Sequence, residues 1–257
     1  MRHLLAFLAA SVAGVINSVA GGGTLVSFPT LVWLGIPSIN ANATNTLALW
    51  PGSLGSMWGY RRELEGTDAR VWWLVVPSLA GGLLGAVLLY RTPTAVFDRL
   101  IPWLILFATV LFMAQEPLQR RFNPRPDETP GGGSGDGTFH WLTWTMIFQF
   151  LVGVYGGYFG AGMGILMLAA LSIMGHTDIH QMNGVKNLLA VCINGIAAIY
   201  FAFSGLVLWQ DSVIMAVGAI VGGIGGAGLA RRIGRQAVRH IVIAVGFAMA
   251  LSMMLRL

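Results

Sequence analysis

A single cysteine, Cys192, stands in 257 residues. One thiol builds no disulfide framework, no zinc cluster and no CxxC redox pair. It reads as a small, apolar-like helix residue. Charge is also scarce: Asp, Glu, Lys and Arg make up 10% of the chain, where soluble domains carry about 25%. A soluble protein of this size would need far more polar surface. None of the ten carboxylates lies deep in an apolar run; Asp178 and Asp211 come nearest. This argues against a carboxylate-built sodium site and against a deep carboxylate proton relay. No HExxH motif occurs, the apolar runs hold no Ser/His/Asp grouping, and no glycine-rich loop has a strand–helix context. The sequence therefore gives no support to an enzyme, and implies no metal and no cofactor. Alternating segments of about ten residues are missing too, which excludes a transmembrane β-barrel.

Long apolar runs are what the chain does have. They cover roughly residues 4–20, 24–36, 43–60, 71–90, 99–115, 140–159, 163–175, 183–203, 212–230 and 239–255. Hydrophobic residues reach 56%. This is the pattern of an all-α, polytopic membrane protein. The first run reads as a retained span rather than a signal peptide, because Asn17 and the glycines lead straight into more apolar sequence. The formal net charge of +5 comes from arginines between the runs, and does not point to nucleic acid.

Residues 116–138, rich in Pro, Gly and charge, read as a flexible linker between a first repeat (1–115) and a second (139–257). A shift of 140 brings Val12, Gly22, Leu31, Gly35 and Ile39 onto Val152, Gly162, Leu171, Gly175 and Ile179. Two more residues of shift bring Asn45, Leu47 and Ala48 onto Asn187, Leu189 and Ala190. Each half carries a Gly-rich break inside its first apolar region: "SVAGGGTLVSFPTL" and "YFGAGMGIL".

Arginine placement decides how the chain treats these breaks. If the chain runs straight through, Arg231, Arg232, Arg235 and Arg239 fall on the outside. If it turns back at each break, loops 61–70, 116–138 and 231–239 all become cytoplasmic. Ten arginines then lie inside, against Arg2, Arg91, Arg99 and Arg256 outside. The expectation is two inverted-topology repeats: about eight long helices, plus two Gly-rich, re-entrant half-helix regions. Both termini are then extracytoplasmic. At about 1.5 Å per residue, segments 24–36 and 163–175 reach roughly 20 Å, short of a roughly 30 Å hydrocarbon core.

Candidate binding residues gather around the breaks. Gly21, Gly22 and Gly23 with Thr24, and Gly160 with Gly162, stand where the short helices begin. Backbone N–H groups and the positive end of the helix dipole attract anions there. The spacing of Gly156, Gly160 and Gly164 fits helix packing as well. Gly81, Gly85, Gly218, Gly222 and Gly226 read as packing alone. The next helix of each half opens on polar residues: Asn42, Thr44 and Asn45 in the first, Asn183, Lys186, Asn187 and Asn194 in the second. The amides suit either a ligand or interhelical hydrogen bonds. Lys186 is the basic residue well inside an apolar run, so it reads as a site residue or as a lysine snorkelling to the edge. His176, Asp178 and His180 cluster at a span boundary, where they either titrate in proton coupling or are simply solvated.

With these motifs in hand, the chain resembles the TauE/SafE family of sulfite and organosulfonate exporters. The resemblance rests on "GVINSVAGGGTLVSFPTLVWLGIPSINANATNTLA" (14–48) and "GVYGGYFGAGMGILMLAALSIMGHTDIHQMNGVKNLLAVCINGIAAIYF" (153–201). The second motif departs from the first, with Ala169 in place of proline and "VKN" in place of "ATN". The resemblance implies a multi-pass inner-membrane permease that exports a small sulfur-containing anion, bound near the midplane between the repeats. Gly21–Gly23, Asn42, Thr44 and Asn45 would then face Gly160, Gly162, Asn183, Lys186 and Asn187. The expected partners are the anion and the bilayer; a homodimer is permitted. A channel-like permease and a non-transporting scaffold are the alternatives.

Overall fold

The computed structural model describes residues 1–19, 22–59, 61–64, 67, 69–122, 138–173, 178–233 and 235–255. All regular structure among the described residues is helical. The helices are α1 (Arg2–Val19), α2 (Thr24–Trp33), α3 (Ser38–Gly59), the single turns α4 (Arg61–Leu64) and α5 (Ala69–Trp72), α6 (Val75–Arg91) and α7 (Thr94–Phe122). The second half supplies α8 (Thr138–Tyr158), α9 (Met163–Ile173), α10 (Ile179–Phe203), α11 (Trp209–Ile233) and α12 (Arg235–Met254). The ten longer helices coincide with the ten apolar runs. Two boundaries differ. Helix α7 continues to Phe122, so residues 116–122 have helical backbone rather than belonging to a linker. The apolar run from 71 is interrupted at Trp73–Leu74, before α6 begins. Linker residues 123–137 lie outside the described residues.

Two stretches, Thr94–Ala114 and Gln181–Phe203, are by themselves long and apolar enough to cross a membrane. The outer surface agrees with a lipid setting. Leu83, Val110, Ile147, Leu151, Val221 and Ile224 are all exposed large apolar side chains. Exposed apolar surface on this scale marks an interaction surface, and here it faces outward all round. Six of the exposed tryptophans fall toward helix ends, and Trp103 lies within α7. Trp33 and Trp209 lie at the end where α2 and α11 meet the loops. Trp58, Trp72, Trp73 and Trp144 lie at the other. Such belts form where amphipathic rings meet the headgroups.

Small residues set the packing. A Cβ on Gly218 would stand 2.6 Å from the Phe7 carbonyl oxygen, and one on Gly222 would stand 1.9 Å from that of Ser11. On the other side of the molecule, a Cβ on Gly81 would stand 2.3 Å from the Phe150 oxygen, and one on Gly85 2.2 Å from that of Val154. In both places two glycines four apart press on two carbonyls four apart. Without a hydrophobic driving force between helices in lipid, such close backbone approach is what holds them. The packing reading of Gly81, Gly85, Gly218 and Gly222 therefore holds; the surroundings of Gly226 lie outside the described residues.

The two interfaces are built alike: α11 packs on α1, and α6 packs on α8. The same contacts give direction. Residues 7 and 11 meet 218 and 222 in order, so α1 and α11 run parallel, as do α6 and α8. At the centre α3 and α10 run antiparallel. Asn40 Nδ2 donates to the Leu206 carbonyl (2.8 Å), whereas Trp50 Nε1 donates to that of Val191 (3.2 Å).

Candidate functional site

The chain folds back on itself at both Gly-rich breaks. At the first, Gly22 has φ +96°, a conformation that side chains rarely adopt. Gly23 then lies against α1 itself: a Cβ there would be 2.4 Å from the Ala13 oxygen. A helix continuing straight on would carry residue 23 well away from residue 13. The reversal is fastened by Asn17, whose Oδ1 accepts the Gly23 N–H at 2.8 Å. The first turn of α2 also closes on the glycines. Leu25 N–H donates to Gly22 O, and Val26 and Ser27 N–H to Gly23 O. The buried Ser27 hydroxyl donates to Gly23 O as well, at 3.1 Å.

The second reversal uses two positive-φ glycines, Gly160 (φ +76°) and Gly162 (φ +77°). Gly160 N–H donates to Tyr155 O (3.1 Å), which ends α8. The Tyr155 hydroxyl donates to Ala161 O at 2.6 Å and pins the loop to its own helix. Gly160 is thus a turn residue rather than a rung of a helix-packing stripe.

Both reversals meet on α7. The Phe112 ring covers Gly22, and Ala108 lies against Gly162. Residues 108 and 112 share one face of α7, one turn apart. The Phe28 ring of α2 meets Phe159 edge-on at 5.3 Å, which joins the first half-helix to the second turn directly.

Polar groups gather on that second turn. Asn42 Nδ2 donates to the Tyr158 carbonyl at 2.9 Å. Asn45 follows on the same face of α3. Both asparagines are 1% exposed, and the Oδ1 of each has no hydrogen-bond partner. Asn194 Oδ1 lies beside Gly160, 3.8 Å from where a Cβ would stand. The Lys186 stem packs on Gly164, with Cδ 3.2 Å from the corresponding point, and Lys186 Nζ donates to Asn183 Oδ1 at 3.1 Å. Asn187 and Thr24 are half-buried.

Some expected members are placed differently. The Gly23 N–H is already bound to Asn17, so it is no free anion donor. The Thr44 hydroxyl accepts the Leu208 N–H at 3.0 Å and ties α3 to the α10–α11 connection. The first-half amides and Lys186 do not face each other across one level. From the Trp50–Val191 contact, Asn45 lies five residues toward the start of α3 and Lys186 five residues toward the start of α10. The helices are antiparallel, so the two groups stand roughly 15 Å apart along the pair at about 1.5 Å per residue. The 158–164 segment spans the gap: Asn42 touches it at Tyr158, Asn194 at Gly160 and Lys186 at Gly164. Asp178 is exposed, and its Oδ1 accepts the Gln181 N–H (3.5 Å) at the start of α10. Gly21, His176 and the side chain of His180 lie outside the described residues.

Sequence reasoning missed four residues. Asn17 is the cap of the first reversal, and its signal was an amide inside an apolar run. Tyr155 and Tyr158 serve the second reversal through a hydroxyl and a carbonyl. Asp211, read as an edge residue, is buried and bound by Arg2 and His3. A groove of about 380 Å³ opens beside Tyr90, Ile199 and Phe203. It is apolar and lies on the outer face between α6 and α10, away from the amides.

A family model described as "Sulfite exporter TauE/SafE" matches residues 6–253. The chain belongs to the TauE/SafE family. It is 27% identical over 256 residues to a "Probable membrane transporter protein" of Haemophilus influenzae, covering 96% of this chain and 92% of the relative. It is 28% identical over 254 residues to "Probable membrane transporter protein ORF9" of Sinorhizobium sp., covering 98% and 93%. It is 26% identical over 255 residues to "Probable membrane transporter protein YfcA" of Escherichia coli K12, covering 96% and 88%. No solved structure matches the chain. Family and relatives alike indicate an integral membrane transporter rather than an enzyme.

Proposed function

We propose that this TauE/SafE protein is a multi-pass inner-membrane exporter of a small sulfur-containing anion, such as sulfite or an organosulfonate. The anion binds at the 158–164 turn, between two inverted halves. The observation that carries the reading is that Asn42, Asn194 and Lys186 contact the 158–164 segment in succession, at Tyr158, Gly160 and Gly164, with the Gly22 reversal beside it on α7. Lys186 supplies positive charge at the Gly164 end of the segment and the amides supply hydrogen bonds at the Tyr158–Gly160 end, so the anion meets the two groups at successive points of its path. The names of the family model and the relatives support transport; the choice of anion rests on the family's description.

Two arguments support inversion. If the halves faced the same way, the equivalent helices α3 and α10 would run parallel where they pack, and they pack antiparallel. A chain that turns back at Gly22 and at Gly160–Gly162 also brings the ten loop arginines to the cytoplasmic side. Helices α2 and α9 are then re-entrant half-helices, and both termini are extracytoplasmic. Backbone that breaks at membrane depth is tolerated where it is buried in protein or lines a cavity. Anion export follows the inside-negative potential: one negative charge moving outward gains about 2.3 kcal/mol per 100 mV.

The test is counterflow in proteoliposomes with radiolabelled sulfite. A carrier accelerates label uptake when loaded with unlabelled sulfite, and an imposed potential shifts the rate. Flux indifferent to both voltage and internal substrate would refute electrogenic carriage, and a preference for carboxylates would overturn the substrate class.

A further inference from the structure

The two unpartnered acceptors, Asn42 Oδ1 and Asn45 Oδ1, say something about the shape of the substrate. Asn42 is locked in one orientation. Its Nδ2 donates to the Tyr158 carbonyl at 2.9 Å. Turning the amide over would set oxygen against oxygen, so Oδ1 must face away as an acceptor. Asn45 presents a second unpartnered Oδ1 on the same helix face, and both side chains are 1% exposed. Buried acceptors are almost always met by a donor. Tyr158 stands at the head of the turn that opens α9, an eleven-residue helix whose positive end favours an anion. The two oxygens therefore call for a hydrogen-bond donor, and the anion-transport reading supplies the charge at the other end of the substrate.

We infer that the substrate is a monoanion that carries its own O–H or N–H donor at the end opposite its charge, and that Asn42 and Asn45 receive that donor. This rests on the anion-transport reading and narrows it. A hydroxyalkyl or aminoalkyl sulfonate, or a hydrogen-oxyanion, fits. An alkanesulfonate of the same charge and nearly the same size, without a donor, leaves both acceptors buried and unmet.

The experiment is isothermal titration calorimetry on the purified full chain with 2-hydroxyethanesulfonate and ethanesulfonate, in sodium and in choline buffer. These two anions carry the same charge at neutral pH and differ by one hydroxyl. The hydroxylated ligand is expected to bind at least about tenfold more tightly, because a site built to bond a hydroxyl rejects its donor-less analogue. In Asn45→Leu the ratio should shrink several-fold. Should that variant fail to fold, the comparison in the unaltered protein decides alone. Equal affinity for the two sulfonates overturns the inference and leaves anion transport standing. Equal affinity together with a strict need for sodium assigns the acceptors to a cation and also overturns it. If neither sulfonate nor sulfite binds, both the inference and the transport reading fail.

Discussion

Adjacent glycines in α11 give a sharp test of the packing. A Cβ on Gly222 would lie 1.9 Å from the Ser11 carbonyl oxygen, whereas one on Gly223 would meet nothing within 4 Å. Ordinary contact begins near 3.4 Å, so Gly222→Ala must push α1 and α11 apart by about 1.5 Å. Overpacking of this kind costs about 1–3 kcal/mol. The gain in helix propensity from Gly to Ala, up to about 1 kcal/mol, offsets part of that. At Gly223 the same gain comes without a clash. The two variants should therefore differ by about 2 kcal/mol, with Gly223→Ala the more stable. At roughly 2–4 °C per kcal/mol for a chain of this size, that is a gap of about 4–8 °C in Tm. Tryptophan fluorescence during thermal unfolding in detergent measures it. Equal shifts in the two variants would refute the parallel α1–α11 register and, with it, the equivalence to α6 and α8.

Other expectations follow from the same geometry. Asp211 is almost fully buried while its partner Arg2 is 46% exposed. Arg2→Ala and Asp211→Asn should couple by about 1–3 kcal/mol in a double-mutant cycle of Tm, and additivity would show the pair to be idle. Lys186→Met keeps the stem that packs on Gly164 and removes the charge. Sulfite binding should fall at least about tenfold, the equivalent of about 1.4 kcal/mol, with Tm changed by only a few degrees; unchanged binding would make Lys186 a snorkelling residue. With Cys192 replaced by serine, Trp33→Cys should react with an impermeant maleimide from outside the cell and Trp144→Cys only from inside. Labelling of both from one side would break the inverted arrangement.

Much of the fold was legible because membrane helices announce themselves by length and apolarity. The ten runs and both breaks could be read from those signals alone. The boundaries that slipped did so for local reasons. Residues 116–122 carry charge and a proline, yet their backbone continues α7, since a helix that has left the apolar layer can go on in water. Candidate residues could be named from the sequence, but not their arrangement. Asn45 and Lys186 fall in corresponding stretches of the two halves, which invites the picture of a facing pair. The antiparallel α3–α10 contact does the opposite: it sends these two residues to opposite sides of the centre, roughly 15 Å apart. The burial of Asp211 at the edge of its span was not legible, because it depends on a neighbouring helix, α1, which is far away in sequence.

The glycines and the amides divide the work at the reversals. A Gly-rich turn before a short helix invites the reading that its N–H groups bind an anion. At the first reversal several of those groups are occupied: Gly23 donates to Asn17, and the Leu25, Val26 and Ser27 N–H groups close on Gly22 and Gly23. What the glycines provide there is close approach, with the Ala13 carbonyl where a side chain would be and the Phe112 ring over Gly22. Among the described residues, the buried side-chain groups left with unmet hydrogen-bonding capacity are the Asn42 and Asn45 oxygens, one of them fixed in place by the Tyr158 carbonyl. Filling the glycine positions should thus abolish folding, whereas changing the amides should alter which ligand is held. Gly23→Ala and Asn45→Leu separate these outcomes. The first should give no stable protein in the membrane; the second should give a folded protein with altered ligand preference. A folded, fully active Gly23→Ala would show that the chain does not turn against α1 as described.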